Sequence, residues 1–221
     1  TLDFGDNAVN QTYTTAGGIG PIIRFDNASD ANDSVVLSTT NAGFTGISMT
    51  AGFGDANTAN FNYNGYNLTL YDGGLNLVSG IFNAPTTLTF SAPNFGGSPF
   101  THTAATGIFN EGTNTIFSGY AIGVDFNTSE TFNNVTIDMF LTIQRDFFIT
   151  AGDTMVVTGT LNLTRGNTKS GTIDAKGDVI VGANNGTGGT TALILSGAGD
   201  QVYSLAGGPL TGVVRLNKDT G

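Results

Sequence analysis

Apolar and polar residues alternate in short runs along most of the chain. This is the pattern of β-strands whose side chains point to opposite faces of a sheet. No run keeps apolar residues at positions i, i+3, i+4 and i+7 over several turns, so no helix is predicted. Gly, Asn, Asp and Ser, which favour turns, separate the runs. The clearest predicted strands are Asn67–Tyr71, Thr87–Phe90, Val135–Asp138, Leu141–Gln144, Met155–Thr158, Leu161–Thr164 and Asp178–Val181.

A short internal repeat joins two of these regions. Residues 80–91 (GIFNAPTTLTFS) align without a gap with residues 107–118 (GIFNEGTNTIFS), and a weaker third copy lies at 170–181. Repeats of this length are typical of folds in which each unit stacks on the next. The predicted fold is therefore an all-β, parallel β-solenoid or β-helix-like repeat domain. Tandem antiparallel β-sandwich domains are the alternative, because they also consist of short alternating strands.

A longer repeat relates the two ends of the chain. Gln11–Gly18 matches Gln201–Gly208, and after a one-residue gap Ile22–Phe25 matches Val213–Leu216. The period is about 190 residues, so the last segment either begins a second repeat or is built like the first. Both interpretations predict contact between successive copies. The residues expected to make this contact are Gln11, Tyr13, Ile22, Ile23, Arg24, Phe25, Gln201, Tyr203, Val213, Val214, Arg215 and Leu216.

These repeats suggest three segments. Residues 1–61 form an N-terminal β segment, and residues 62–204 form the β-strand repeat region. Residues 205–221 start the next repeat or make the contact with a neighbouring subunit. Because Thr1 begins directly in strand-like sequence, the chain is expected to be a processed form or a fragment.

The composition narrows the function. The chain has 221 residues, of which 39% are hydrophobic and only 11% charged, with a net charge of −10. The seven basic residues are scattered, which disfavours binding to nucleic acid or to an anionic membrane surface. No apolar run is long enough to cross a bilayer, so no membrane insertion is expected. There is no cysteine, which excludes disulfides and thiolate metal sites.

Residues for catalysis are sparse. His102 is the sole histidine, its neighbours are uncharged, and no Gly-x-Ser-x-Gly motif occurs. The carboxylates are spread without a recurring pair, and there is no Trp for stacking on sugars. The chain is therefore not expected to be an enzyme, and a polysaccharide-cleaving activity is a remote alternative.

Asn and Asp residues suggest two further kinds of site, a calcium site and glycosylation sites. Asp26, Asp30, Asn32 and Asp33 are candidate calcium ligands, although a polar turn is the simpler interpretation. No other cofactor is expected. Asn-x-Ser/Thr acceptor sequences for glycosylation begin at Asn10, Asn27, Asn32, Asn67, Asn127, Asn134, Asn162 and Asn185.

Several phrases resemble the repeats of large bacterial surface proteins of the adhesin-like β-solenoid type. They are Phe132–Ile137, Thr154–Thr164, Ser170–Asp174 and Ser196–Tyr203. The resemblance implies a secreted or surface-attached structural role without catalysis. We expect a subunit or tandem segment of an extracellular filament, stalk or surface coat, whose partner is another copy of itself. The alternative is an adhesin-type module that binds glycans.

Overall fold

The computed structural model describes residues 2–4, 11–13, 19–25, 34–37, 42–49, 60–62, 67–92, 97–140, 146–185, 189–206 and 212–218. All regular structure in these ranges is β-strand. The strands are β1 Leu2–Phe4, β2 Gln11–Tyr13, β3 Ile19–Phe25, β4 Ser34–Leu37, β5 Ala42–Met49, β6 Asn60–Asn62, β7 Leu68–Leu77, β8 Ser79–Asn83, β9 Thr87–Ala92, β10 Gly97–His102, β11 Thr106–Asn110, β12 Asn114–Gly119, β13 Ala121–Phe126, β14 Ser129–Phe132, β15 Asn134–Met139, β16 Asp146–Ile149, β17 Thr154–Val157, β18 Leu161–Lys169, β19 Thr172–Ala175, β20 Val179–Asn185, β21 Ala192–Leu195, β22 Tyr203–Leu205 and β23 Val214–Leu216.

The chain divides into two compact units. The first comprises residues 1–91 and 98–113, and the second comprises residues 92–97 and 114–221. The segments 1–61, 62–204 and 205–221 were drawn on sequence repeats, and they stay a prediction.

In the first unit the strands stack in two parallel sheets. One contains β1, β3, β5, β7 and β10 in this order, and β9 also pairs with β7. The other runs from β2 through β4, β6 and β8 to β11. Strands that are adjacent in a sheet are far apart in sequence, which is the arrangement of successive rungs in a solenoid.

The second unit is built in the same way. One sheet passes from β12 through β15, β18 and β20 to β22, and β16 joins β13 to the second half of β18. The other sheet has the order β14-β17-β19-β21-β23. These pairings are parallel, so the predicted β-solenoid is confirmed and the antiparallel sandwich alternative is wrong.

In the first unit, the two copies of the short sequence repeat begin in adjacent strands, β8 and β11, and their matching residues pair with each other. Gly80, Ile81, Phe82 and Asn83 of β8 pair in order with Gly107, Ile108, Phe109 and Asn110 of β11. The Phe82 and Phe109 rings stack with centroids 5.9 Å apart, and the Asn110 side chain donates a 2.8 Å hydrogen bond to the Asn83 side chain. Identical residues 27 positions apart therefore stack on each other, inside and outside the sheet.

The alternating sequence pattern produces the core. In β12, β13 and β15 every second side chain is buried, and the residues between them are partly exposed. Phenylalanines fill much of the interior, and those with the least exposure are Phe44, Phe82, Phe90, Phe100, Phe117, Phe132 and Phe147. Burying apolar side chains on one face is the main stabilising contribution of such a fold.

Most of the predicted strands are confirmed. Six of the seven fall on β7, β9, β15, β17, β18 and β20, and each begins within one residue of the observed strand. The structural strands are often longer, as in β7 and β18, because a strand continues around a corner of the rung. The seventh prediction, Leu141–Gln144, lies outside the described residues.

Candidate functional site

The inward side chains of the second unit form columns that end in solvent. In one column Met155, Ile173, Leu193 and Val214 lie in register on β17, β19, β21 and β23. The first three are buried, whereas Val214 is 42% exposed. Exposure therefore rises at the last rung of the column, although the residue there is as apolar as those beneath it.

A second column on the same strands ends in the same way. Val157, Ala175 and Leu195 are buried, but Leu216 above them is 75% exposed. Leu216 thus presents its apolar side chain to solvent at a position that is part of the core in the rungs below. A side chain of this size gains about 1.5–3 kcal/mol when it is fully buried.

The other sheet of the second unit gives a third column. Ile137, Leu163 and Val181 are buried in β15, β18 and β20, and Leu205 of β22 is 50% exposed. A small cleft lies beside Val214. Its lining consists of Leu163, Thr168, Ile173, Thr191, Leu193, Gly212 and Val214.

We call residues 202–205 and 213–216 the open rung. On one side β22 pairs with β20 and β23 pairs with β21. Among the described residues no strand pairs with the other side of either strand. The open rung therefore combines free backbone edges with exposed core side chains, and both features favour association with a further strand.

Polar side chains hold the open rung in place. Gln201 donates hydrogen bonds to the carbonyl oxygens of Ala175 (2.9 Å) and Gly177 (2.6 Å) and accepts one from the amide of Gly197 (3.1 Å). After β23, the Lys218 ammonium donates to the carbonyl oxygens of Gly197 (3.0 Å) and Gly199 (2.7 Å). The rung is thus anchored on both flanks to the rung beneath it, and its edge is preformed.

Tyr203 is a titratable side chain of the open rung. It is partly buried, and burial raises the pKa of its phenol above the usual 10.0 because the charged phenolate loses solvation. Its neighbour in the rung below is Val179, an inward core residue. Tyr203 therefore caps the fourth inward column of this unit.

The predicted contact residues fall into two sets. Gln201, Tyr203, Val213, Val214, Arg215 and Leu216 all lie in the open rung or immediately beside it. Of these, Gln201 serves as an anchor, and Arg215 is exposed. The sequence comparison missed Leu205 and Lys218; the Tyr-Ser-Leu alternation after Gln201 was the available signal for Leu205.

The second set lies in the first unit. Gln11 and Tyr13 belong to β2, which pairs with β4, and Ile22–Phe25 belong to β3. Because β3 lies between β1 and β5, its backbone is paired on both sides and Ile23 is fully buried. Ile22 and Arg24 are exposed and point away from the core.

The other candidate residues are dispersed. His102 Nε2 donates a 3.0 Å hydrogen bond to the carbonyl oxygen of Gly107, and its ring lies against Phe100, so it supports the turn between β10 and β11. The candidate calcium ligands Asp26, Asp30, Asn32 and Asp33 lie outside the described residues. Within the described ranges no three His, Cys, Asp or Glu side chains come together as a metal site.

The glycosylation sequences occupy different environments. Asn67 and Asn127 are exposed, whereas Asn134 and Asn162 take part in side-chain hydrogen bonds within the sheet. Asn185 is the last residue of β20. Asn10, Asn27 and Asn32 lie outside the described residues. Glycosylation itself stays a prediction.

No protein-family model matches the chain, no curated protein sequence matches it, and no solved structure matches its fold. The likeness to bacterial surface repeat proteins stays an expectation from the sequence. In the parts of the chain that are described, no helix has the length and apolar character needed to cross a membrane.

Proposed function

We propose that this chain is a structural β-solenoid that assembles end to end, and that the open rung is one of its joining surfaces. In this proposal the chain is a subunit or tandem segment of an extracellular filament, stalk or surface coat. Its partner is another copy of the same repeat. The function is mechanical and involves no chemical reaction.

One observation carries the proposal. Three inward columns that are buried in every rung beneath end in exposed Leu205, Val214 and Leu216, at strands whose outer edges are unpaired among the described residues. Soluble proteins usually protect such edges with charges, prolines or a covering segment. Exposed apolar patches that continue a core mark surfaces that associate. A further rung would bury these side chains and complete the backbone hydrogen bonds.

The preformed geometry of the rung supports the same conclusion. Because Gln201 and Lys218 tie both flanks to the rung below, little ordering would be needed when a neighbour docks. A surface that is already ordered loses less conformational entropy on binding, which favours association.

The proposed extracellular location rests on composition and on the resemblance in the sequence. The surface polarity comes from Asn, Thr, Ser and Gly, with only 11% charged residues, and there is no cysteine. Both traits are compatible with a surface protein that folds without disulfides.

Self-association of the chain tests the proposal. We expect concentration-dependent oligomers in sedimentation velocity and fibres or rods by electron microscopy. Val214→Lys should weaken association at least about tenfold, since it places a charge on the column that must be covered. The matched control is Ile180→Lys, because Ile180 of β20 is also 42% exposed but lies between the inward residues Val179 and Val181 and points outward.

Two results would contradict the proposal. One is a wild-type chain that stays monomeric up to millimolar concentration. The other is an equal loss of association in both variants, which would place the contact away from the inward columns.

A further inference from the structure

Two rungs of this protein, one in each unit, have the same register. In the first unit Leu2, Asp3 and Phe4 of β1 pair with Ile23, Arg24 and Phe25 of β3. In the second unit Leu193, Ile194 and Leu195 of β21 pair with Val214, Arg215 and Leu216 of β23. Every residue of the second pair lies 191 positions after its counterpart in the first.

The correspondence between these two strand pairs extends further along the chain than the match found in the sequence. Sequence comparison related only Ile22–Phe25 to Val213–Leu216 and the segment before them to Gln201–Gly208. The structure extends the match to the strands beneath, β1 and β21, which share just one identical residue. Both rungs also advance by 21 residues, from Leu2 to Ile23 and from Leu193 to Val214. Two rungs of equal length, whose first and last strands pair in the same register, are copies of one structural unit; the strand between them matches at an offset of 190 residues, from Tyr13 to Tyr203.

The first unit shows what covers this rung. There β5 lies on β3, with Ile47 in register with Ile23 and Met49 in register with Phe25. Ile23, Ile47 and Met49 are all buried. On the neighbouring sheet β4 lies on β2, with Leu37 in register with Tyr13. Val214 corresponds to Ile23, and Tyr203 corresponds to Tyr13.

We infer that the open rung is the first rung of a second repeat, continued by a copy of this same chain with a period of 191 residues. Residues 193–216 take the place of residues 2–25, and strands equivalent to β4 and β5 cover β22 and β23. This inference rests on the proposed function, because it names the partner and the register of the same open rung.

The chemistry of the covering strand fits the exposed residues. A copy of β5 brings Ile47 over Val214 and Met49 over Leu216, and a copy of β4 brings Leu37 over Tyr203. The residues brought into register are apolar or aromatic in each case. Arg215, between Val214 and Leu216, corresponds to Arg24, which is exposed and pairs in register with Ser48 of β5. The copy of β5 therefore places a serine beside Arg215, and no charge is buried.

A fusion built on this register tests the inference. Residues 1–191 are followed directly by residues 1–221, so that the second Leu2 replaces Leu193. The control joins two complete chains through a flexible linker of about 20 Gly and Ser residues. Amide hydrogen exchange is measured on the strand at the position of β23, which is β3 of the second copy in the register fusion and β23 of the first copy in the control.

In the register fusion we expect this strand to exchange at least about hundredfold more slowly than β23 of the single chain, because β5 now pairs with it. The fusion should also unfold in one transition at a higher temperature than the single chain. In the linker control, any protection of β23 comes only from docking of whole copies, and it should fall well short of the protection in the register fusion.

A second measurement uses the absence of cysteine from the chain. Val214→Cys in the single chain, at a concentration at which the chain is monomeric, should react readily with a thiol reagent. Ile23→Cys in the second copy of the register fusion should react at least about hundredfold more slowly, because β5 covers it. Equal reactivity at the two positions would overturn the inference.

Other results would also overturn it. The 191-residue period is contradicted if the register fusion does not fold. It is also contradicted if β3 of the second copy in that fusion exchanges as fast as β23 of the single chain. Equal protection in both fusions contradicts it too, because whole copies would then stack without sharing a rung. If the single chain self-associates but the register fusion gives no extra protection, this inference alone is wrong. If the register fusion is stable and protected but the single chain never self-associates, the proposed function is wrong.

Discussion

Ile23 and Val214 occupy equivalent positions in two rungs of the same register, yet Ile23 is fully buried and Val214 is 42% exposed. Both residues are β-branched, both precede an arginine, and both pair in register with a leucine of the adjacent strand. The difference is the strand above, since β5 covers Ile23 and no described strand covers Val214. The comparison of Ile23 with Val214 therefore shows how much a neighbouring rung reduces the exposure of an inward side chain.

Alkaline pH should dissociate the assembly through Tyr203. Burial already raises the pKa of this phenol above 10.0, and a covering rung would bury it further and raise its pKa again. The free open rung then ionises at a lower pH than the covered one. Association is therefore fully present below about pH 10 and is lost as pH rises above that value.

Light scattering between about pH 8 and pH 12 checks this pH dependence. The control is Tyr203→Phe, which keeps the ring and removes the titrating proton. The variant should lose the part of the alkaline decline that Tyr203 causes. Identical profiles for the wild type and Tyr203→Phe would exclude this tyrosine as the sensitive group.

Gly74 should be intolerant of a side chain. It lies in β7 with φ of +54°, and an added Cβ would stand 1.9 Å from the carbonyl oxygen of Pro99 on the neighbouring β10. Gly74→Ala therefore combines backbone strain with a clash against backbone, and we expect a loss of stability above about 2 kcal/mol. Urea unfolding measures it.

The matched control for Gly74 is Gly152→Ala. Gly152 also has a positive φ, +98°, but an added Cβ there meets no atom within 4 Å. Its substitution should cost only the strain, about 1 kcal/mol. Equal losses at the two positions would show that the close approach of Pro99 is unimportant.

Asp153 should stabilise the second unit through one hydrogen bond. Its carboxylate is buried and accepts a 2.8 Å hydrogen bond from the amide of Phe126, in the strand of the rung below. Asp153→Ala removes this acceptor from a buried amide and should cost about 1–3 kcal/mol in the free energy of unfolding. Asp153→Asn keeps an oxygen acceptor and should cost clearly less. Chemical denaturation compares them, and equal losses would assign the effect to packing.

The ion pair between Asp138 and Arg165 should contribute little, and salt should weaken it. The two residues bridge β15 and β18, with Arg165 Nη2 donating a 2.7 Å hydrogen bond to Asp138 Oδ2 and Nε donating to Oδ1. Both side chains are partly exposed, so a double-mutant cycle with Asp138→Asn and Arg165→Gln should give a coupling of about 0.2–1 kcal/mol.

The same ion pair should be insensitive to pH on the arginine side. The hydrogen bond to Asp138 raises the pKa of Arg165 above its ordinary value, so the guanidinium stays charged across the working pH range and its contribution would be lost only at more alkaline pH. Repeating the cycle at about 1 M NaCl should reduce the coupling, because salt screens exposed charges. A coupling that is unchanged by salt would contradict this.

Much of the fold could be predicted from the sequence because the code of a solenoid is local and repeated. Alternation places every second side chain inside, and the repeat at 27 residues is the register in which Phe82 lies on Phe109. Identical residues stack on identical residues, so the sequence carries the pairing as well as the strands. The length of strands such as β18 was predicted less well. The first part of β18 pairs with β15 and its last part pairs with β16, and this change of partner is not visible in the sequence.

The open rung could be predicted only in part. The match of Gln201–Gly208 and Val213–Leu216 to the start of the chain pointed to the segment that contains it, but the match assigned the same role to Ile23 and Val214. It also treated Gln201 as a contact residue, whereas its side chain holds the rung to Ala175 and Gly177.

The sequence by itself determined the strands, their inward faces and the repeat that relates the two ends. Only the tertiary structure decided which copy of the repeated rung is covered and which is open. The reason is physical: whether a side chain faces inward depends on its own strand, but whether it is buried depends on a strand about 20 residues or more away in the chain. Ile23 has that strand in β5, and Val214 presents the place where the next one would lie.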